Sequence, residues 1–158
     1  TEDRRAASDR PARRQKVPAE VLKPLQAFWE ETLTLPLPEE SLALEGSYLY
    51  RLPPDLPNLR AIKTLHPGLW LGTLQKNRFQ PAHALALSIK KEDGRREFRL
   101  SAQGEGMKRT AAYLRGESLP CSGEDGWARV TVDGYPLGWG KQVQGTLKNF
   151  YPKGLRWV

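Results

Sequence analysis

The sequence predicts an α+β protein, rich in short strands, with a few short helices and a strongly curved or barrel-like sheet. Three observations carry this. Thirteen prolines and fourteen glycines in 158 residues punctuate the chain too often for a helical bundle. Between them lie short apolar runs of strand character, such as LALEGSYLYRL, REFRLS and WARVTV. Only VPAEVLKPLQAFWEETL, PAHALALSI and EGMKRTAAYLRGE carry helical patterning.

Taken in order, residues 1–16, TEDRRAASDRPARRQK, are nearly devoid of apolar side chains and read as a charged linker. The first helix places Val21, Leu22, Leu25, Phe28 and Trp29 on one face. Pro18 suits its first turn, and Pro24 predicts a bend or a later start. LALEGSYLYRL, NLRAIKTL and GLWLGTLQK follow as strands separated by turns that contain Pro or Gly. PAHALALSI is a short helix with Pro81 near its start, and REFRLS is a strand. EGMKRTAAYLRGE puts Met107, Ala111 and Leu114 on one helical face, with Gly116 placed to end it. WARVTV predicts a strand of alternating burial, DGYPLGWG a turn entering another strand, and TLKNFYPKGLRWV one or two short strands around Pro152 and Gly154.

A length of 158 residues suits one domain or two small ones sharing a core. The single cysteine, Cys121, excludes an internal disulfide framework and fits a reducing compartment. No apolar run approaches the ~20 residues of a membrane span, and no signal peptide opens the sequence, so the expectation is a soluble cytoplasmic protein with no membrane partner.

The net charge of +7 is unevenly placed. From Leu56 to Lys91 there is no Asp or Glu, while Arg60, Lys63, Lys76, Arg78, Lys90 and Lys91 are basic. From Gly134 to Val158 there is again no acid, and Lys141, Lys148, Lys153 and Arg156 appear. Trp70, Phe79, Tyr135, Trp139, Phe150, Tyr151 and Trp157 interleave with these bases. Cations hold phosphates and aromatic faces stack on unpaired bases, so the pattern suits a nucleic-acid surface. The competing account is that most of these aromatics fill a small β-rich core.

The run AAYLRGESLPCSGEDGWARVTVDGYPLGWGK resembles the heart of a PUA domain, a pseudo-barrel found in RNA-modifying proteins. There Gly116 would cap a helix, and Gly138 and Gly140 would let backbone or ligand come close. DGYPLGWGKQVQGTLKNFYPKGLRW resembles the end of RsmF-type bacterial rRNA 5-methylcytosine methyltransferases. LHPGLWLGTLQKNRFQPAHALAL and AFWEETL resemble the first C-terminal region of the same enzymes, and the likeness runs over residues 20–158. It implies a small α+β region at 17–92 and a PUA-like RNA-binding domain at 95–158. It also implies a Rossmann-like catalytic domain elsewhere in the parent protein, holding S-adenosylmethionine on a Gly-rich loop. The nearest match to such a loop here, SAQGEGMK, carries no strand–turn–helix frame in the sequence reading.

The tetrapeptide Pro-Cys-Ser-Gly at 120–123 resembles the active-site motif of RNA 5-methylcytosine methyltransferases, where a thiolate attacks ring carbon 6. Those enzymes use two cysteines, the motif following a buried strand in an Asp-Ala-Pro-Cys context. This chain has one cysteine, behind Arg-Gly-Glu-Ser-Leu. Cys121 with His66 or His83 as a hydrolase pair would need a low-pKa thiol and an orienting third group. However, His66 precedes Pro67 in a turn and His83 lies in an apolar short helix, the setting of a structural histidine. Two histidines and one cysteine show no metal-ligand spacing. The sequence therefore predicts no catalytic and no metal-binding residue, and a turn around Cys121 between the helix and the strand that opens at Trp127.

The expectation is an RNA-binding module that positions rRNA, of the small subunit, for cytosine 5-methylation by a catalytic domain of the same parent chain. Lys141, Lys148, Asn149, Lys153 and Arg156 are the candidate phosphate or sugar contacts. Tyr135, Trp139 and Tyr151 are the candidate stacking residues, and Lys76 and Arg78 extend the surface into the first region. The alternative is a packing module that docks on the methyltransferase domain and scarcely touches RNA.

Overall fold

Two sheets share one core, joined through the helices between them. A computed structural model describes residues 17–52 and 69–158; the expected linker at 1–16, the NLRAIKTL strand, Arg60, Lys63 and His66 lie outside the described residues. Helix α1 (Ala19–Thr32) has Pro18 at its N-cap and buries Leu22, Leu25, Phe28, Trp29 and Thr32. Val21, expected on that face, points outward. Thr32 replaces it by turning its hydroxyl back onto the Phe28 carbonyl at 2.6 Å, which satisfies a polar group inside the core. Pro24 neither delays nor ends the helix; it lacks only the N–H that would bond the carbonyl of the exposed Glu20.

The first sheet is antiparallel in the order β1 (Leu42–Glu45), β2 (Tyr48–Arg51), β3 (Leu69–Gln75), β4 (Arg78–Pro81). Strand β4 was not anticipated, because Pro81 reads as a helix start. Proline is tolerated here because β4 is an edge strand and Pro81 ends it. The β3–β4 turn places Asn77 at φ 62°, a left-handed position that asparagine accepts readily. Helix α2 (His83–Ser88) follows directly.

The second sheet runs β5 (Glu97–Leu100), β7 (Gly126–Val132), β8 (Tyr135–Val143), β9 (Thr146–Asn149), β6 (Leu119–Pro120). β5 and β7 are parallel and the other pairs antiparallel. Strand β7 does not alternate as expected: Trp127 to Thr131 are all buried. It is an interior strand with core on both faces, which removes the solvent side that alternation requires. In the closing segment β9 is followed by a 3-10 turn, Lys153–Leu155, rather than a second strand.

Helix α3 (Gly106–Leu114) buries Thr110, Tyr113 and Leu114, while Met107 is exposed, so the buried stripe is rotated from the Met107–Ala111–Leu114 expectation. The polar Thr110 hid the true stripe; its hydroxyl is satisfied by the Ser101 carbonyl at 2.7 Å. Gly116, at φ 90°, ends the helix as anticipated. Its N–H bonds the Tyr113 carbonyl and that of Glu117 the Ala112 carbonyl, the paired pattern of a Schellman cap.

Two cores result. One face of the second sheet packs with α3 around Tyr113, Val130 and Leu147. The other joins α1, α2 and the first sheet in a single cluster that includes Trp127 and Trp139. Phe28 is its hub: its ring centroid lies 4.9 Å from Phe79 in the first sheet and 5.4 Å from Trp139 in the second. Arg129 adds a polar tie, donating from its buried guanidinium to the Ile89 carbonyl at 2.7 Å.

Candidate nucleic-acid interface

Where the β3–β4 hairpin and α1 meet the second sheet, the surface sinks into a cleft of about 470 Å³. Phe28, Phe79, Trp127 and Phe150 form its apolar wall, and Arg78, Lys141 and Lys148 bring positive charge to it. Gln75, Asn77 and Gln80 supply neutral donors and acceptors.

Strand register explains the convergence. Trp127 pairs with Lys141 across β7–β8, and Lys141 pairs with Lys148 across β8–β9, so the three side chains form one row on one face of the sheet. The Lys141 ammonium sits 5.4 Å from the centre of the Trp127 ring, a cation–π distance. Phe150 packs against Trp127 with ring centroids 4.5 Å apart. Among the described residues the one carboxylate lining the cleft, Glu31, is held by Arg96 at 2.5 Å, and Arg96 also donates to the backbone carbonyls of Glu124 and Asp125. Among the described residues no carboxylate pairs with Lys141, Lys148 or Arg78.

Of the residues singled out in the sequence, Arg78, Lys141 and Lys148 meet in this cleft. Lys76 is exposed in the adjoining turn beside Asn77. Trp139 belongs to the core and not to a stacking surface: it is 1% exposed, and its indole N–H donates to the Ala82 carbonyl at 2.8 Å. Asn149 is a brace. Its amide donates to the Tyr113 and Glu117 carbonyls at 2.8 and 2.9 Å, and its oxygen accepts the Tyr151 N–H. Tyr151 is half-buried between His83 and Tyr113, and the Arg156 Nε donates to the Tyr151 carbonyl at 3.2 Å. Lys153 is exposed in the final turn, and Tyr135 stands 74% exposed at the β7–β8 turn. The second group of candidates is therefore spread over the C-terminal segment, away from the row of three. Phe79 and Phe150, named among the interleaved aromatics, line the cleft, whereas Trp127, Gln75, Asn77 and Gln80 were not singled out.

The glycines expected to let backbone or ligand come close admit core side chains. A Cβ on Gly138 would stand 2.7 Å from the Tyr113 hydroxyl, and one on Gly140 2.6 Å from Leu147. SAQGEGMK does form a strand–turn–helix frame, β5 into α3, contrary to the sequence reading. It does not fit S-adenosylmethionine: the Ala102 N–H is already taken by the Asp133 carboxylate, Glu105 stands at the helix start, and Ser101 fills the space beside Gly106.

Cys121 leaves the edge strand β6, its N–H bonding the Gly145 carbonyl and its side chain half-buried against the second core. The tetrapeptide thus begins in a strand that the sequence reading treated as loop. His83 packs edge-on against Tyr151, and burial lowers its pKa from the ordinary imidazole value. Among the described residues no hydrogen bond joins Cys121 to His83, no group of three or more metal-ligating side chains occurs, and no helix is long and apolar enough to cross a membrane.

Two family models match the chain. Residues 27–89 match the RsmF rRNA methyltransferase first C-terminal domain, and residues 106–157 match the methyltransferase RsmF PUA domain. Both are C-terminal, non-catalytic parts of those enzymes. The cleft lies on their seam, with Phe28 to Gln80 on one side and Gly126 to Phe150 on the other. The chain belongs to the RsmF-type rRNA methyltransferases, of which it carries the first C-terminal domain and the PUA domain.

Proposed function

We propose that this chain holds rRNA of the small subunit and presents it to the catalytic domain of its parent protein, which transfers a methyl group from S-adenosylmethionine to carbon 5 of a cytosine. The observation that carries the reading is the Lys141–Lys148 cross-strand pair facing Arg78 across an aromatic-walled cleft. A phosphodiester entering there meets three cations, and unpaired bases meet apolar rings and side-chain amides. The residues of this chain bind and orient; S-adenosylmethionine supplies the methyl group when bound in the catalytic domain. Family membership supports rRNA as the nucleic acid, and the small subunit and the cytoplasm remain part of this reading.

Electrophoretic mobility shifts with a 16S rRNA fragment at several salt concentrations test it. The expected result is binding that weakens steeply with salt, and more weakly still in the Lys141→Gln/Lys148→Gln variant. Binding that is absent, or insensitive to salt, would falsify it and leave a packing module.

A further inference from the structure

The outer face of the first sheet carries an aromatic pair that the cleft does not use. Tyr48 on β2 is 50% exposed and Trp70 on β3 is 38% exposed, and their ring centroids lie 5.8 Å apart in an edge-to-face arrangement. Leu49 between Tyr48 and Tyr50 is fully buried, so both tyrosines point outward; Tyr50 is directly paired with Trp70. The Trp70 indole N–H donates to the Gly72 carbonyl at 2.9 Å, which fixes the ring on the sheet surface in advance of any ligand. Large aromatic rings left this exposed on a sheet face mark a contact surface rather than a core.

Register identifies the occupant. Tyr48 pairs with Thr73, and Thr73 pairs with Gln80. Thr73 and Gln80 both line the cleft, so a single cross-strand row leads from the basic cleft to the aromatic pair. The β3–β4 hairpin along this path brings Lys76 and Arg78 and no acid; Glu45, paired with Tyr48 on β1, bounds the far end.

We propose that Tyr48 and Trp70 form a stacking platform for unpaired RNA bases, continuing the path of a strand whose phosphates sit in the Arg78–Lys141–Lys148 cleft. The choice of RNA rests on the function proposed above. A duplex keeps its bases stacked inside and offers nothing to such rings, so the platform selects single-stranded RNA.

The test is fluorescence anisotropy of the whole chain with a short labelled single-stranded RNA and with the same sequence as a duplex, over a range of salt. Trp70→Ala and Tyr48→Ala should each weaken single-strand binding about tenfold with an unchanged salt slope, because stacking releases no counterions. Trp70→Phe, which keeps a ring, should restore most of the affinity, and a matched unfolding temperature shows that the fold is intact. Wild-type affinity in both alanine variants, with Lys148→Gln still weakened, overturns the platform and leaves the cleft standing; that face would then meet protein. Equal affinity for duplex and single strand also overturns it. Failure of the wild-type chain to bind either RNA removes the cleft reading and the platform together.

Discussion

Lys141 and Lys148 stand directly opposite one another on β8 and β9, two like charges at facing positions of an antiparallel pair. Such a pair works against the sheet that contains it, by up to ~1 kcal/mol. Lys148→Thr should therefore raise the free energy of unfolding by about 0.5 kcal/mol in urea titrations. The same substitution should weaken RNA binding and flatten the slope of log K against log salt by about 0.7–0.9, one phosphate contact. A lysine that served only the fold would move stability in the opposite direction.

Phe28 bridges the two sheets, so the fold should melt as one. Phe28→Ala should cost about 3–5 kcal/mol, and tryptophan fluorescence and far-ultraviolet dichroism should still report coincident transitions. An excised 95–158 fragment, which leaves Trp127 and Trp139 without α1, should show no cooperative unfolding. Two separated transitions in the whole chain would refute a shared core.

His83 gives the protein a definable acid response. Its folded-state pKa lies below the ordinary value of 6.5 because burial disfavours the imidazolium. The unfolded chain thus takes up this proton first as pH falls, and stability is lost from about pH 6.5 downward until the folded pKa is reached. His83→Phe should remove that component: the difference in unfolding temperature between pH 7.5 and pH 5.5 should shrink relative to wild type.

Cys121 should be dispensable for chemistry. Cys121→Ala should cost about 1 kcal/mol, the scale of one buried methylene. RNA affinity, and methyl transfer by a parent enzyme carrying the change, should match wild type. A loss of turnover with unchanged RNA binding would return Pro-Cys-Ser-Gly to the active site.

The class of fold was legible because turn residues and short apolar runs are local signals. The helix at α1 and the glycine stop at Gly116 were legible for the same reason. What failed depended on partners distant in sequence. WARVTV lost its alternation because core covers both faces of β7, and Thr110 reached the core because Ser101 accepts its hydroxyl. Trp139 looked like a stacking residue until Ala82, 57 positions away, supplied a partner for its indole. The cleft was half visible: Arg78, Lys141 and Lys148 stood out as bases in acid-free stretches. Their meeting was also encoded, since the Gln144–Gly145 turn in VQGT sets Val143 opposite Thr146 and so Lys141 opposite Lys148. Phe79 and Phe150 stood among the interleaved aromatics, but their joining into one wall was not visible, because it needs the contact between Phe28 of α1 and Trp127 of β7.

That contact also bears on how such enzymes can diversify. A recombination event that carried the PUA portion alone to a new host would arrive with two indoles stripped of their cover and with one bank of the cleft gone. The seam between the two matched regions is thus a poor place for evolution, or an engineer, to cut. With a core cluster that draws on both, the two regions form a single structural part.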